Sequence, residues 1–192
     1  MIISGKDIEF LGMVEGAVWE GQFQPAGADL TVESIHLIEN CGEIDGDNSM
    51  RKLPECKKIE WENGKIKLER GAYKVVFNET VSVPANAAGI ARSRSSLLRM
   101  GAFVATAVWD PGYKGRSEAL LVVENTHGIN VHEDAKLAQI VFIRLEKEAE
   151  NKYCGQYQGE NLEPGDDGKY SVSALDTGST ESEEERRILD SL

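Results

Sequence analysis

The middle of the chain is built from short runs rich in Val, Ile and Phe, broken at regular intervals by polar turn signals. The runs predict strands at 65–69, 73–77, 87–91, 103–109, 119–123 and 137–145. Between them stand Glu62-Asn63-Gly64, Pro84-Ala85-Asn86 and Asp110-Pro111-Gly112, residue types that set turn dihedrals or bond their own backbone. Short strands at such spacing imply an all-β sandwich or barrel. One helical turn is expected at 95–100, with Ser95 or Ser96 as its cap and Leu97 and Leu98 facing the core.

At 192 residues the chain suits one domain with its own core. The expected division is a β domain over residues 1–162 and an acidic, mobile tail over 163–192. From Glu163 onward nine acids stand against three bases in a Gly- and Ser-rich stretch, too poor in apolar residues to offset its ordering entropy. The whole chain carries 33 acids and 21 bases, a net charge of -12 that argues against a sequence-independent grip on nucleic acid. Any phosphate ligand therefore needs a local basic cluster or a metal. Three cysteines in no metal-binding spacing, with no leader-like start and no long apolar run, lead us to expect a cytoplasmic protein that does not enter a membrane.

Such a basic cluster exists. Arg92, Arg94 and Arg99 are interleaved with Ser93, Ser95 and Ser96. Guanidinium forks and hydroxyls at a helix start suit a polyphosphate, although a solvated turn with capping serines has the same composition. Downstream, Asp110 and Tyr113 project where one apolar strand ends and the next begins. The carboxylate suits a water-positioning base beside phosphates; the plain alternative is an Asp that caps a Pro-Gly turn. Gln139 lies in an alternating run with Leu137 and Val141 on its face, as a ligand or as a buried amide.

Taken in order, these segments resemble the dUTP pyrophosphatase and dCTP deaminase superfamily from Gln24 to about Asn161. Gln24-Pro25-Ala26-Gly27-Ala28-Asp29-Leu30 resembles its first motif, Arg94-Ser95-Ser96-Leu97 its second and Asp110 to Gly115 its third. Lys136 to Phe142 resembles the fourth, and Tyr157-Gln158-Gly159 the C-terminal element. The resemblance implies a distorted jelly-roll barrel assembling as a homotrimer, with sites built at subunit contacts. It implies that Mg2+ accompanies the triphosphate, that Asp110 activates water, and that Arg94, Ser95, Ser96 and Arg99 hold phosphates. It also implies that backbone groups around Ala107 read the base, that Tyr113 packs on the deoxyribose, and that Gln139, Tyr157 and Gln158 complete the site. Asp29 is expected to reach the metal through water. Two features depart from the family pattern: the Gly-rich, Phe-bearing lid of many trimeric pyrophosphatases is missing, and Asp134-Ala135 stands where the fourth motif usually has Gly.

The two branches differ at the base. Deaminases place a Glu five positions after the last Gly of the third motif, which is Leu120 here, or Val122 if the register slips. Neither shuttles protons, so hydrolysis of dUTP to dUMP and pyrophosphate is the expected activity. A bulge that rescued Glu118 would allow dCTP deamination, alone or alongside hydrolysis. A nucleotide-binding regulatory relative without turnover is the third class.

Overall fold

A computed structural model describes residues 1–162, so the expected tail lies outside the described residues. The chain runs α1 (Gly5–Phe10), β1 (Val14–Glu15), β2 (Phe23–Gln24), β3 (Gly27–Ile38), β4 (Cys56–Ile59), β5 (Lys65–Leu68) and β6 (Gly71–Ser82). It continues with β7 (Ala87–Ser93), α2 (Ser95–Arg99), β8 (Ala102–Ala105), β9 (Lys114–Val123), β10 (Ile129–His132) and β11 (Lys136–Arg144). The main sheet has the order β7-β11-β3-β6-β9-β8, every pairing antiparallel, with β10 and β5 forming a separate ribbon. The all-β jelly-roll expectation is met.

The long strand β3 turns the sheet. Its first half pairs with β11 through Ala28 to Thr31, and its second half with β6 from Val32 to Leu37, with a register shift after Val32. A bulge there bends one strand so that it serves two layers. The layers close on Leu30, Ile35, Phe77, Leu121, Ile140 and Phe142, none of which reaches solvent. Truncating Phe77 or Phe142 to Ala would cost about 3–5 kcal/mol from lost burial and the cavity left behind.

Several sequence expectations need correction. Strand β3 was absent from the expected set, because its first six residues are all buried and include Asp29 and Thr31, which breaks any polar and apolar alternation. The strand expected at 73–77 runs on to Ser82, with Glu79 fully buried. The strand expected at 103–109 ends at Ala105, since β8 pairs with β9 only over residues 102–105. Beyond it the chain crosses to β7, where Trp109 exchanges backbone hydrogen bonds with Gly89 at 2.9 and 3.0 Å. Helix α2 forms as expected, but its N-cap residue is Arg94, with no side-chain cap from either serine. Leu97 is buried while Leu98 is exposed, so a single leucine anchors it.

Candidate functional site

The third motif sits where the chain leaves β7 and enters β9. Trp109 is buried, and Asp110 follows it into solvent. The Asp110 carbonyl accepts the Tyr113 N–H at 3.1 Å, so the turn is closed by backbone. Its carboxylate makes no hydrogen bond among the described residues, so no side-chain cap on this turn is seen there. Gly112 has φ 87°, and a Cβ there would stand 2.7 Å from the Lys152 Cβ; this turn needs glycine on both counts.

Tyr113 returns inward to a hydroxyl network. Its Oη donates to Glu160 Oε1 at 2.7 Å and meets Ser117 Oγ at 3.1 Å, while Trp109 Nε1 donates to Ser117 Oγ at 2.5 Å. Gly115 leaves room for that hydroxyl, since a Cβ would come within 2.7 Å of it. Burial holds the Tyr113 phenol protonated far above its ordinary value of 10.0. Burial also raises the Glu160 carboxyl above 4.5, against the lowering effect of the Tyr113 hydrogen bond.

Strand β8 covers β9 only as far as Leu120, and the C-terminal segment takes over the open edge beyond. Gly159 N–H donates to the Lys114 carbonyl at 2.8 Å, and Arg116 N–H to the Glu160 carbonyl at 3.0 Å. Gln158 accepts from Lys114 N–H at 3.2 Å and donates to the Gly112 carbonyl at 3.1 Å. The ring of Tyr153 meets Tyr113 edge-on, centroids 5.8 Å apart. The C-terminal Tyr157-Gln158-Gly159 element is therefore docked on the third motif of its own chain.

Between these parts opens a cavity of about 680 Å³, a size suited to a nucleotide-like ligand. Ala107, Asp110, Tyr113 and Tyr157 line it, four of the residues singled out from the sequence. So do Lys74, Glu118, Leu120 and Glu160, and a further wall comes from Leu53, Pro54 and Cys56. Lys74 Nζ pairs with Glu118 Oε1 at 2.7 Å. Strand β9 keeps a regular register with β6 from Glu118 to Val123. Glu118 and Leu120 thus stand two apart on a regular strand, and the register shift lies before Glu118. Sequence reasoning missed Glu160, Ser117 and Lys74, which meet Tyr113 or Glu118 only through folding.

The remaining expected residues gather elsewhere. Asp29 is wholly buried, and its Oδ2 is ion-paired with Arg94 Nη1 and, at 3.4 Å, with Lys136 Nζ. Gln24 Nε2 donates to the same oxygen at 3.2 Å, and Oδ1 has no hydrogen-bond partner among the described residues. Gln139 is the cross-strand partner of Asp29 and of Arg92. A register shift between Lys136 and Ala138 buries Leu137, so Leu137 does not share the face of Gln139 as expected. Gln139 is partly exposed, and its Nε2 donates to the Ala26 carbonyl at 3.4 Å. Ser95, Ser96 and Arg99 are exposed on α2. None of Asp29, Arg94, Ser95, Ser96, Arg99 and Gln139 lines the Asp110 cavity.

Behind Asp29 lies a buried polar cluster. Gln22 Nε2 donates to the Asp29 carbonyl at 2.9 Å and to Glu79 Oε1 at 2.7 Å, and the Thr31 N–H and hydroxyl donate to the same carboxyl at 2.9 and 2.5 Å. Burial raises the Glu79 carboxyl above its ordinary value in spite of these donors. The cluster fixes the backbone that carries Asp29. Among the described residues, no three His, Cys, Asp or Glu side chains converge as a metal cage, and no helix is long and apolar enough to cross a membrane.

Comparison with known proteins places this geometry. Residues 7–145 match the family described as dCTP deaminase-like. A "Probable deoxyuridine 5'-triphosphate nucleotidohydrolase" of Methanosarcina acetivorans is 49% identical over 151 residues, 78% of this chain and 88% of that protein. A "Deoxyuridine 5'-triphosphate nucleotidohydrolase" of Methanocaldococcus jannaschii is 44% identical over 142 residues, 73% of this chain and 89% of that protein. In fold, the chain resembles the crystal structure of 2'-deoxycytidine 5'-triphosphate deaminase from Agrobacterium tumefaciens, with TM-score 0.56 and 23% identity over 73% of this chain and 47% of that one. The chain belongs to the dCTP deaminase-like family, within the dUTP pyrophosphatase and dCTP deaminase superfamily.

Proposed function

We propose that this protein is a dUTP pyrophosphatase, hydrolysing dUTP to dUMP and pyrophosphate. The observation that carries the reading is the cavity wall: Asp110 offers a carboxylate with no hydrogen bond among the described residues, and Leu120, where the family pattern puts a deaminase's proton carrier, lines the same cavity. The relatives named deoxyuridine 5'-triphosphate nucleotidohydrolase support the same choice.

In this reading Asp110 orients a water and takes its proton as the water oxygen attacks the α-phosphorus. The bond to the bridging oxygen breaks, and pyrophosphate leaves. Backbone groups around Ala107 read the uracil edge, and the Tyr113 ring packs on the deoxyribose and excludes a 2'-hydroxyl. Arg94, Ser95, Ser96 and Arg99 align the phosphates, with Gln139 beside them. Tyr157 closes the cavity, and Gln158 ties its segment to Gly112 and Lys114.

Mg2+ fits this site as a companion of the triphosphate, since it is commonly held by substrate phosphates and one or two carboxylates. Asp29 Oδ1, which has no hydrogen-bond partner among the described residues, would take a water of the hydrated ion. When bound, the ion neutralises charge on the phosphates.

The cavity and the Arg94 cluster are separate surfaces of one chain, and the proposed assembly is a homotrimer in which one copy's cluster faces another's cavity. Ile90, Leu98, Phe103 and Val108 support an interface: they are exposed apolar residues around a second concavity of about 580 Å³. The tail at 163–192 is assigned no part in the chemistry. The composition favours a cytoplasmic setting.

Incubation with dUTP, dCTP and Mg2+, with products resolved, tests the function. We expect dUMP and pyrophosphate from dUTP. Ammonia and a uracil nucleotide from dCTP, lost in Glu118→Gln, would instead make the protein a deaminase. That second reading has one observation behind it, since Glu118 lines the cavity, but its carboxylate is engaged by Lys74.

A further inference from the structure

We propose that Glu160 is a positioning residue that sets the preference for deoxyribose over ribose by holding the Tyr113 ring in place. This rests on the dUTP reading above, in which that ring packs on the sugar.

One hydrogen-bond chain links Trp109, Ser117, Tyr113 and Glu160. The Trp109 indole has a donor and no acceptor, so its bond to Ser117 Oγ at 2.5 Å fixes Ser117 as acceptor there. The Ser117 hydroxyl then has its own proton to give, and Tyr113 Oη lies 3.1 Å away. Tyr113 Oη gives its own proton to Glu160 Oε1 at 2.7 Å. The order Trp109 to Ser117 to Tyr113 to Glu160 satisfies every group, because the Tyr113 bond to Glu160 leaves Tyr113 Oη open to accept from Ser117. Trp109, Tyr113 and Ser117 are all at most 5% exposed, so water offers no easy substitute for the terminal acceptor.

Glu160 is itself held on both sides. Its carbonyl takes the Arg116 N–H at 3.0 Å, Gly159 before it donates to the Lys114 carbonyl at 2.8 Å, and Asn161 Nδ2 after it donates to the Arg116 carbonyl at 2.9 Å. The carboxylate therefore anchors the far end of the Tyr113 ring to a segment more than forty residues away in sequence. Ring position matters because one hydroxyl is a small difference. An apolar wall rejects an added hydroxyl only by its rigidity, and a ring free to tilt admits the 2'-hydroxyl.

The test is kcat/KM for dUTP and for UTP, with Mg2+, in the wild type, Glu160→Ala, Glu160→Gln, Tyr113→Phe and the Glu160→Ala/Tyr113→Phe double variant. We expect Glu160→Ala to lower the dUTP-to-UTP ratio about tenfold, chiefly by improving UTP. Glu160→Gln, whose amide carbonyl accepts the same bond, restores most of the ratio. The double variant shows no further loss beyond Tyr113→Phe, because both act through one hydroxyl. A purely structural Glu160 would lower both substrates together and leave the ratio fixed. An unchanged ratio in Glu160→Ala, or additive effects in the double variant, overturns the inference while leaving the dUTP reading intact. A wild type inactive on dUTP overturns that reading and this inference with it.

Discussion

The guanidinium of Arg94 lies against the carboxylate of Asp29, and that carboxylate is wholly buried. Arg94 is thereby aimed by a residue with no solvent-exposed surface of its own. The same Asp29 oxygen also holds Lys136 at 3.4 Å, so one carboxylate organises two cations at the meeting of three strand segments. Their side chains remain 34% and 27% exposed, enough to present charge outward.

Asp29→Asn is expected to loosen both cations. The variant should lose about 2 kcal/mol of stability, below the full cost of breaking a buried pair because Arg94 and Lys136 can turn to water. Its kcat/KM for dUTP should fall roughly tenfold to a hundredfold through misplaced phosphate donors. Urea melts and steady-state kinetics check the two parts separately.

Asp110→Asn should bind dUTP with near-normal affinity and hydrolyse it at least about a hundredfold more slowly, since an amide keeps the shape and cannot take a proton. Calorimetric titration with a nonhydrolysable analogue, beside a pyrophosphate-release assay, reads both quantities. Retained turnover would return Asp110 to a turn residue.

Glu79 gives the fold a pH dependence of known sign. Burial raises its carboxyl above 4.5 in the native chain, so the native state binds a proton there that the unfolded state has already released. Stability from this group is fully present below its unfolded value and is lost as pH rises through the raised native value. In Glu79→Gln that titration is gone. The stability advantage of wild type over variant should therefore shrink as pH rises from about 4 to about 8, by at most about 1.4 kcal/mol per unit within the window. A gap that widens with pH in chemical-denaturation curves would show the native carboxyl to be depressed instead.

Removal of residues 163–192 should leave both assembly and activity within about twofold of the full chain, because the Tyr157-Gln158-Gly159 element precedes that stretch. Light scattering should give three times the chain mass for both forms. A monomer with full activity would remove the proposal that neighbouring copies complete the site.

Much of the fold was legible because β5, β7, β9 and β11 place apolar residues in short runs between turn signals, and a strand with one face in water writes its own pattern. Asp110 and Tyr113 were legible for a related reason: a turn between runs projects its side chains at a predictable place, and the order of the motifs supplied the family.

Other elements left no such trace. Strand β3 buries Asp29 and Thr31 among apolar neighbours, and β6 buries Glu79, so polar letters stand where the pattern asks for apolar ones. Those burials are tolerated only because Gln22, Thr31 and Arg94 arrive from elsewhere with donors, and partners brought by folding are invisible to local periodicity. The same holds at the site. Sequence by itself determined that a carboxylate, an aromatic ring and an arginine cluster exist in family order. The tertiary structure decided that the cavity takes Asp110 and Tyr113 without Arg94, and that Glu160 ends the Tyr113 hydrogen-bond chain. The second outcome follows from β9 outrunning β8: the C-terminal segment bonds the backbone along the edge from Lys114 to Arg116 and brings Glu160 with it.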